Sequence, residues 1–252
     1  MLRRVMMAGA SSPPISTAYA DAVAADAPVH WWRLGEAAGN FASSGSSAIV
    51  LYPPDSGVTR GVPGLVGDSN GAIRLNTSGG GTSSASAVSA LGLATNTTFE
   101  LVFRAPSGTA GALFGLHDGT SPTGVSGSRD RAAYIGTDGK LYLGAWTGVR
   151  STIVSPGAVT DGQRHILQFA LGADAAAGCR GYLDGVEIGS FTGVSTDTNG
   201  GRYAYVGWLN FDGWPMATTG GAAGATIDEV AIYGTALSAA RCLAHAQAAG
   251  LA

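Results

Sequence analysis

The sequence predicts an all-β protein, either a β-sandwich or a jelly roll, with a short helix near each end. Three observations predict this class: apolar residues alternate with other residues in several short runs, glycine-rich turns separate the runs, and two Asp-Gly pairs lie between apolar stretches. Many short strands joined by such turns are typical of sandwiches and jelly rolls. The 40 glycines follow no three-residue period, which excludes a collagen-like fibre.

The individual strands are predicted from side-chain periodicity, because every second side chain of a strand points to the same face. The Asp-Gly pairs at 138–139 and 184–185 predict hairpins with type I′ turns, since these residues accept the positive φ angles that such turns need. The alternating runs are residues 99–104, 166–171, 203–206 and 227–233, and an earlier strand is predicted over 29–34.

Each end of the chain contains a helix signal. Ser16 or Thr17 can cap a short helix, because a hydroxyl accepts a hydrogen bond from a free N–H of the first turn. Ser238 can cap a second helix from Ala239 to about Ala248, and Gly250 can end it.

These signals predict one β-rich domain over residues 19–252, preceded by an arm over residues 1–18 that has no periodicity. The glycine-rich stretch 76–86 is predicted to be a long loop within the domain. Because such an arm cannot fold alone, we expect it to contact a neighbouring subunit in a homo-oligomer or a larger assembly.

Composition excludes several functional classes. The net charge is -3 and only 12% of residues are charged, so the chain lacks the basic surface of a nucleic-acid-binding protein. The hydrophobic fraction of 45% excludes a disordered chain. No apolar run is long enough to cross a bilayer, so we expect no membrane insertion.

The N-terminal apolar stretch after Arg3 and Arg4 is interrupted by the sequence SSPP at 11–14. A secretory signal needs roughly 7–15 continuous apolar residues. We therefore expect no signal peptide and synthesis in the cytoplasm, with Cys179 and Cys242 as free, buried thiols.

Four segments in chain order resemble a known family over about residues 19–249. The family is that of laminin-G-like, concanavalin A-like lectin-glucanase jelly-roll domains, and the resemblance implies two antiparallel sheets packed face to face. The segments are an opening strand at 28–36 (PVHWWRLGE), a loop at 62–65 (VPGL) with Asp68, a hairpin at 182–186 (YLDGV), and a closing strand and helix start at 227–233 (IDEVAIY) and 236–238 (ALS).

The resemblance implies no single function, because the same sandwich is found in lectins, adhesins, hydrolases and virion proteins. A domain of this family with a short N-terminal extension and no expected signal peptide resembles structural proteins of bacteriophages, which implies a minor tail protein or a capsid-surface decoration. The expected partners are then other virion proteins and host glycans. The alternative is a secreted or surface carbohydrate-binding lectin module, and a third hypothesis is a degenerate glycoside hydrolase.

The residues predict no enzyme. Glycosidases on this fold use two carboxylates on one surface, supplied by alternate acids of the patterns ExDxE or ExDxxE. None of the four glutamates occurs in such a pattern, and no GxSxG motif is present. Asp228 and Glu229 are adjacent, so a regular strand directs them to opposite faces.

Asp228 is the candidate metal ligand. One of the two adjacent carboxylates is expected to point inward, where it needs a cation or several hydrogen-bond donors. One interpretation is a structural calcium ion held by Asp228 and backbone carbonyls, since calcium prefers oxygen ligands. The alternative is a hydrogen-bonded or arginine-paired acid that fixes the first strand to the last.

The segment 207–215 (GWLNFDGWP) is the candidate ligand site, because it combines aromatic and polar groups in a glycine-rich loop. Aromatic faces and a few polar groups are what a sugar site needs. A subunit interface and simple cover of the sandwich rim are the alternatives. The candidate residues are Trp208, Asn210, Phe211, Asp212 and Trp214, with Trp146 as a similar residue elsewhere.

The remaining polar residues predict no chemistry. His117 and Asp118, with Arg129, Asp130 and Arg131, are expected to be solvated loop charges. His30 is expected on a strand surface.

Overall fold

The computed structural model describes residues 16–52, 57–76, 82–84, 96–118, 129–172, 177–193, 203–218 and 221–252, with the backbone alone described at 82–84. Most of the predicted arm (1–15) therefore lies outside the described residues. The described elements are α1 (Ala18–Ala25), β1 (His30–Trp32), β2 (Leu51–Tyr52), β3 (Val58–Pro63), β4 (Gly71–Leu75), β5 (Thr82–Ser84), β6 (Thr97–Arg104), β7 (Gly111–His117), β8 (Arg129–Ile135), β9 (Lys140–Trp146), β10 (Arg150–Ala158), β11 (Arg164–Leu171), β12 (Cys179–Leu183), β13 (Val186–Phe191), β14 (Tyr203–Val206), β15 (Thr226–Tyr233) and α2 (Ala239–Ala248).

The strands form two antiparallel sheets, which confirms the predicted all-β sandwich. Sheet 1 has the order β13-β12-β11-β6-β15-β4-β3, and β1 pairs with β15. Sheet 2 has the order β10-β9-β8-β7-β14-β5-β2. We call the face of each sheet that points away from the other sheet its outer face.

The main core lies between the sheets and follows the predicted period of two. Phe99, Leu101 and Phe103 of β6 belong to this core together with Leu167 and Phe169 of β11. Val102 and Ile166, which have the opposite parity, belong to a second cluster on the outer face of sheet 1, beneath the two helices. Sheet 1 is therefore apolar on both faces.

Both predicted hairpins are present, but only one has the predicted turn. Asp184 and Gly185 have φ angles of 52° and 78°, as a type I′ turn requires. At the other hairpin only Gly139 has a positive φ, and Gly136 N–H donates to Lys140 O. That geometry is a three-residue loop with glycine in the left-handed position, so the type I′ prediction is wrong there.

One local prediction needs correction. The stretch 76–86 is not all loop, because β5 lies within it and pairs with β14 through backbone hydrogen bonds, which need no apolar side chains. Of the two hydroxyls predicted to cap α1, Ser16 Oγ accepts a hydrogen bond from Ala18 N–H, whereas Thr17 makes no capping hydrogen bond. The cap of α2 is confirmed, since Ser238 accepts from Arg241 N–H.

A buried polar network holds the two helices on the outer face of sheet 1. Glu100 of β6 accepts hydrogen bonds from Tyr19 of α1 at 2.8 Å and from Tyr233 at 3.2 Å. Its second oxygen lies 2.8 Å from His245 Nδ1. His245 Nε2 lies 2.8 Å from Asp26 Oδ2 at the end of α1. The imidazole therefore joins α1, α2 and the sheet.

Candidate functional site

The predicted ligand segment forms part of a flap, residues 207–218, that crosses the outer face of sheet 2. The flap rises from the end of β14, and Leu209 and Phe211 pack against Gly115 of β7. Trp214 then packs against Gly144 of β9. These strand glycines leave the space that the flap side chains fill, so the sheet and the flap are complementary in shape.

The two central aromatic groups of the flap are used in packing. Phe211 lies 5.2 Å from Tyr134, ring centroid to centroid, and 6.1 Å from Trp214 in an edge-to-face arrangement. Trp214 is 6% exposed. Their faces are covered by protein, which favours the rim-packing alternative for these two residues over direct stacking on a sugar.

The close approach at Gly144 gives a testable consequence. A Cβ at residue 144 would overlap the Trp214 ring, so Gly144→Ala is expected to lift the flap and lower the unfolding free energy by about 1–3 kcal/mol. The measurements are urea unfolding and Trp fluorescence, with a red shift expected as Trp214 becomes solvated. Gly157→Ala on β10 is the matched control, because a Cβ there meets nothing within 4 Å. Equal stability of the two variants would contradict the packing.

The other predicted residues of the flap have separate roles. Asn210 is buried, and its Oδ1 accepts a hydrogen bond of 2.8 Å from Asp212 N–H, which shapes the turn at the flap tip. Asp212 is exposed at that tip. Trp208 is half-buried, and its indole Nε1 has no hydrogen-bond partner among the described residues.

Four polar and aromatic residues around the flap tip make up a surface that we call the rim: Trp146, Arg150, Arg129 and Asp212. Trp146 and Arg150 are cross-strand partners of β9 and β10. Trp146 shares a strand face with Gly144, on which the flap packs, so both partners lie on the outer face. The Trp146 side chain is 38% exposed, and Arg150 is exposed.

Buried charged residues beside the rim were predicted from the sequence to lie in a solvated loop. His117, Asp130 and Arg131 are strand residues and are buried, and Asp130 pairs with Arg131. Asp130 Oδ1 also accepts a hydrogen bond of 2.8 Å from Trp146 N–H. The prediction of solvated charge is wrong here, because residues 111–117 and 129–135 pair as strands. His30 is likewise buried, stacked on Trp32.

The rim contains two guanidinium groups and the Asp212 carboxylate. Burial lowers the pKa of Arg129, the Asp212 and Asp118 charges act against this lowering, and the Arg150 charge adds to it. Among the described residues, the arginine ion pairs involve Arg33, Arg131, Arg180 and Arg241 and thus leave out Arg129 and Arg150.

Of the predicted ligand residues, the structure brings Trp146 and Asp212 together at the rim and buries Phe211 and Trp214 beneath the flap. The two rim arginines were missed. Only the antiparallel order of β8, β9 and β10 places these arginines beside Trp146, and no local sequence motif contains that information.

Asp228 and Glu229 lie on the same face of sheet 1, so the prediction of opposite faces is wrong. Asp228 is opposite Val102, an outer-face residue, while the pairing register shifts before Ala231. Glu229 has a φ of 54° and is the extra residue of a β-bulge. A bulge adds one residue to one strand and therefore breaks the alternation of faces.

Glu229 is the acid that fixes the first strand to the last. Its Oε2 accepts a hydrogen bond of 2.7 Å from Trp31 Nε1, and its Oε1 lies 2.8 Å from Arg33 Nη2. Arg33 also pairs with Asp68. The arginine-paired alternative is therefore found, but at Glu229. Burial raises the pKa of Glu229 to about 6 despite the arginine.

Asp228 is fully buried and accepts a hydrogen bond of 2.7 Å from Leu65 N–H through Oδ2, while its Oδ1 has no partner among the described residues. Burial, and then the Glu229 charge, raise the pKa of Asp228 to about 8. A neutral carboxyl that accepts a hydrogen bond from one N–H donor fits the hydrogen-bonded alternative. Within the described ranges, no group of three or more His, Cys, Asp or Glu side chains could hold a metal ion. These surroundings favour the hydrogen-bonded alternative, and the calcium ion stays a prediction.

Comparison with solved structures finds similar folds in proteins that differ widely in sequence. Trypanosoma rangeli sialidase in complex with sialic acid has a TM-score of 0.63 at 13% identity, covering 95% of this chain and 34% of that chain. The same sialidase with the inhibitor DANA has a TM-score of 0.60 at 11% identity, covering 94% of this chain and 34% of that chain. The botulinum neurotoxin type G receptor binding domain has a TM-score of 0.59 at 11% identity, covering 87% of this chain and 51% of that chain. The chain thus spans about a third of the length of the sialidases.

No protein-family model matches the chain, and no curated protein matches it. The fold is a sandwich of two antiparallel sheets, and sialidase and toxin receptor-binding structures are similar to it. At these identities the likeness shows the fold alone. In the part of the chain that the structure describes, no helix has the length and apolar character to cross a membrane.

The prediction that the protein is not an enzyme is overturned by the same comparison, because the structures similar to this chain include sialidases. That prediction tested for the paired carboxylates of most glycosidases, whereas sialidases use a tyrosine nucleophile. The missing glutamate pattern therefore excludes no activity, and the fold relation by itself assigns none.

Proposed function

We propose that the protein is a carbohydrate-binding module that contacts glycans through the rim. The observation that carries the proposal is the exposed indole of Trp146, which lies beside Arg150 and near the flap tip with Asp212. An aromatic face bordered by a few polar groups is the arrangement that holds a sugar ring. The sialidase and neurotoxin binding-domain structures are compatible with this role.

Replacement of Trp146 by alanine tests the proposal. We expect glycan affinity to fall by tenfold or more, since truncation of an aromatic anchor at the centre of an interface costs about 2 kcal/mol or more. The measurement is a glycan array followed by calorimetric titration of the best ligand.

Tyr52→Ala is the matched control for Trp146→Ala, because Tyr52 is also an exposed aromatic residue but lies on β2, at the far edge of sheet 2. It should leave affinity unchanged. If the parent protein bound no glycan on the array, or if both variants lost affinity equally, the rim would not be a sugar site.

We further propose that the module belongs to a bacteriophage virion, as a minor tail protein or a capsid decoration. The motifs at 28–36, 182–186 and 227–233 resemble a family that includes virion structural proteins, and this supports the finer proposal. In that setting the predicted arm, residues 1–18, would contact a neighbouring subunit or another virion protein. Mass spectrometry of purified virions, with immunogold labelling, tests the location; absence from intact particles would leave the lectin module as the alternative.

A further inference from the structure

The rim contains two guanidinium groups that no acidic side chain of the described residues neutralises within ion-pair distance. Arg150 is exposed, and Arg129 is half-exposed with a buried Nη1 that has no hydrogen-bond partner among the described residues. By contrast, Arg131, Arg180 and Arg241 all have carboxylate partners. Two arginines without an ion pair therefore lie beside one exposed indole, with the Asp212 and Asp118 charges acting on Arg129 from beyond ion-pair distance.

The flap backbone orients one of these groups. Gly213 lies so close to Arg150 that a Cβ at residue 213 would be 2.9 Å from Nη2, 3.0 Å from Cζ and 3.2 Å from Nη1. Three such similar distances mean that the guanidinium lies flat against the backbone at residue 213. A guanidinium held in this way has lost much of its freedom before a ligand arrives, which lowers the entropy cost of binding.

The second group lies on the other side of Trp146. Asp130, the neighbour of Arg129 on β8, accepts a hydrogen bond of 2.8 Å from Trp146 N–H, and Trp146 is the cross-strand partner of Arg150. Burial is the main cause of the lowered pKa of Arg129, and the Arg150 charge adds to it. Two cations held near each other repel, and an anion between them removes that repulsion. Arginine pairs with planar or tetrahedral oxyanions through two parallel hydrogen bonds.

We propose that the rim selects sugars that carry an oxyanion, with Arg150 and Arg129 binding the anionic group while the Trp146 ring lies against the sugar. This inference rests on the proposed function and adds the chemical class of the glycan. The oxyanion can be a carboxylate, as in uronic and sialic acids, or a phosphate, as in phosphorylated wall polymers. Both present the oxygen pair that a guanidinium recognises.

Three matched probes separate these chemistries: an oligogalacturonide, the same oligosaccharide after reduction of its carboxyl groups to neutral alcohols, and a phosphorylated galacto-oligosaccharide. We expect the parent protein to bind the acidic probes on the order of tenfold more tightly than the neutral one, because hydrogen bonds to charged groups are the stronger ones. The preference should weaken between low salt and about 0.5 M salt as the charges are screened.

Arg150→Gln and Arg129→Gln are expected to abolish the preference for acidic probes while retaining weak binding to the neutral one. Arg104→Gln, which removes one exposed arginine from sheet 1, is the control and should change neither. Arg150→Lys keeps the charge but loses the paired hydrogen bonds, and should retain only part of the preference. Thermal unfolding of every variant verifies that the fold is intact.

The outcomes separate this inference from the proposed function. If Trp146→Ala loses binding while the arginine variants and the parent bind all three probes alike, the sugar site stands and the oxyanion inference is wrong. If the parent binds none of the probes and no other glycan, both are wrong. A preference for only the carboxylated or only the phosphorylated probe supports the inference and identifies the oxyanion.

Discussion

His245→Leu is expected to lower the unfolding free energy by about 3–5 kcal/mol, because it leaves a buried charge without its partner. Glu100 and His245 are both 0% exposed, and Nδ1 lies 2.8 Å from the Glu100 carboxylate. Leucine fills similar space but donates nothing, so Glu100 would keep only the hydrogen bonds that Tyr19, Tyr233 and the Gln168 side-chain amide donate to it. Urea unfolding measures the loss.

In the His245→Leu variant, α1 should open more readily than the strands of the two sheets. Its attachment depends on Tyr19, Val23 and the contact of Asp26 with His245, so hydrogen exchange should show α1 opening first. Arg180→Gln is the control, since the exposed Arg180–Glu187 pair is worth about 0–1 kcal/mol. Equal effects of the two substitutions would show that the buried network contributes no more than a surface ion pair.

The same histidine predicts the sign of a pH effect. Burial favours the neutral imidazole, but the hydrogen bonds and charges of Glu100 and Asp26 outweigh it and raise the pKa of His245. The folded state therefore binds the proton more tightly than the unfolded state. This contribution to stability is complete below the ordinary histidine pKa of about 6.5 and is lost as the pH rises through the raised value.

Local patterns in the sequence were sufficient for much of the fold. The alternation in β6 and β11 correctly identifies the core residues, because a period of two is a property of the single strand. Ser238 correctly marks the start of α2, because a cap involves only the first turn of its own helix. Asp184 and Gly185 correctly mark a hairpin, because a type I′ turn depends on the two residues at its centre.

The errors occur where a residue's position depends on a distant segment. The bulge directs Glu229 toward Trp31 and Arg33, about 200 positions earlier in the chain, and nothing beside Glu229 in the sequence indicates an extra residue. Trp214 is a strong ligand candidate from its neighbours in sequence, yet Gly144 on another strand provides the surface that buries it. The rim arginines come together only through sheet order.

Asp228→Asn is expected to make the protein more stable at pH 8 and to leave its stability near pH 4 almost unchanged. Burial and the Glu229 charge raise the pKa of the folded carboxyl to about 8, whereas an unfolded aspartate titrates near about 3.9. The unfolded chain therefore releases this proton first, and the stability of the parent falls as the pH rises from about 4 to about 8. Each pKa unit corresponds to about 1.4 kcal/mol, so the loss reaches several kcal/mol.

Asparagine at 228 cannot ionise and keeps an oxygen for the Leu65 N–H, so the variant should lose this part of the pH dependence and retain the smaller part that Glu229 contributes. Asp161→Asn is the control, because the pKa of this exposed carboxyl is lowered and its removal cannot stabilise the protein at pH 8. Urea unfolding at several pH values, with and without calcium, measures the effect. A flat stability profile for the parent between pH 4 and pH 8 would refute the protonated carboxyl. If calcium raised the Tm of the parent and Asp228→Asn abolished that gain, the metal ion would be established instead.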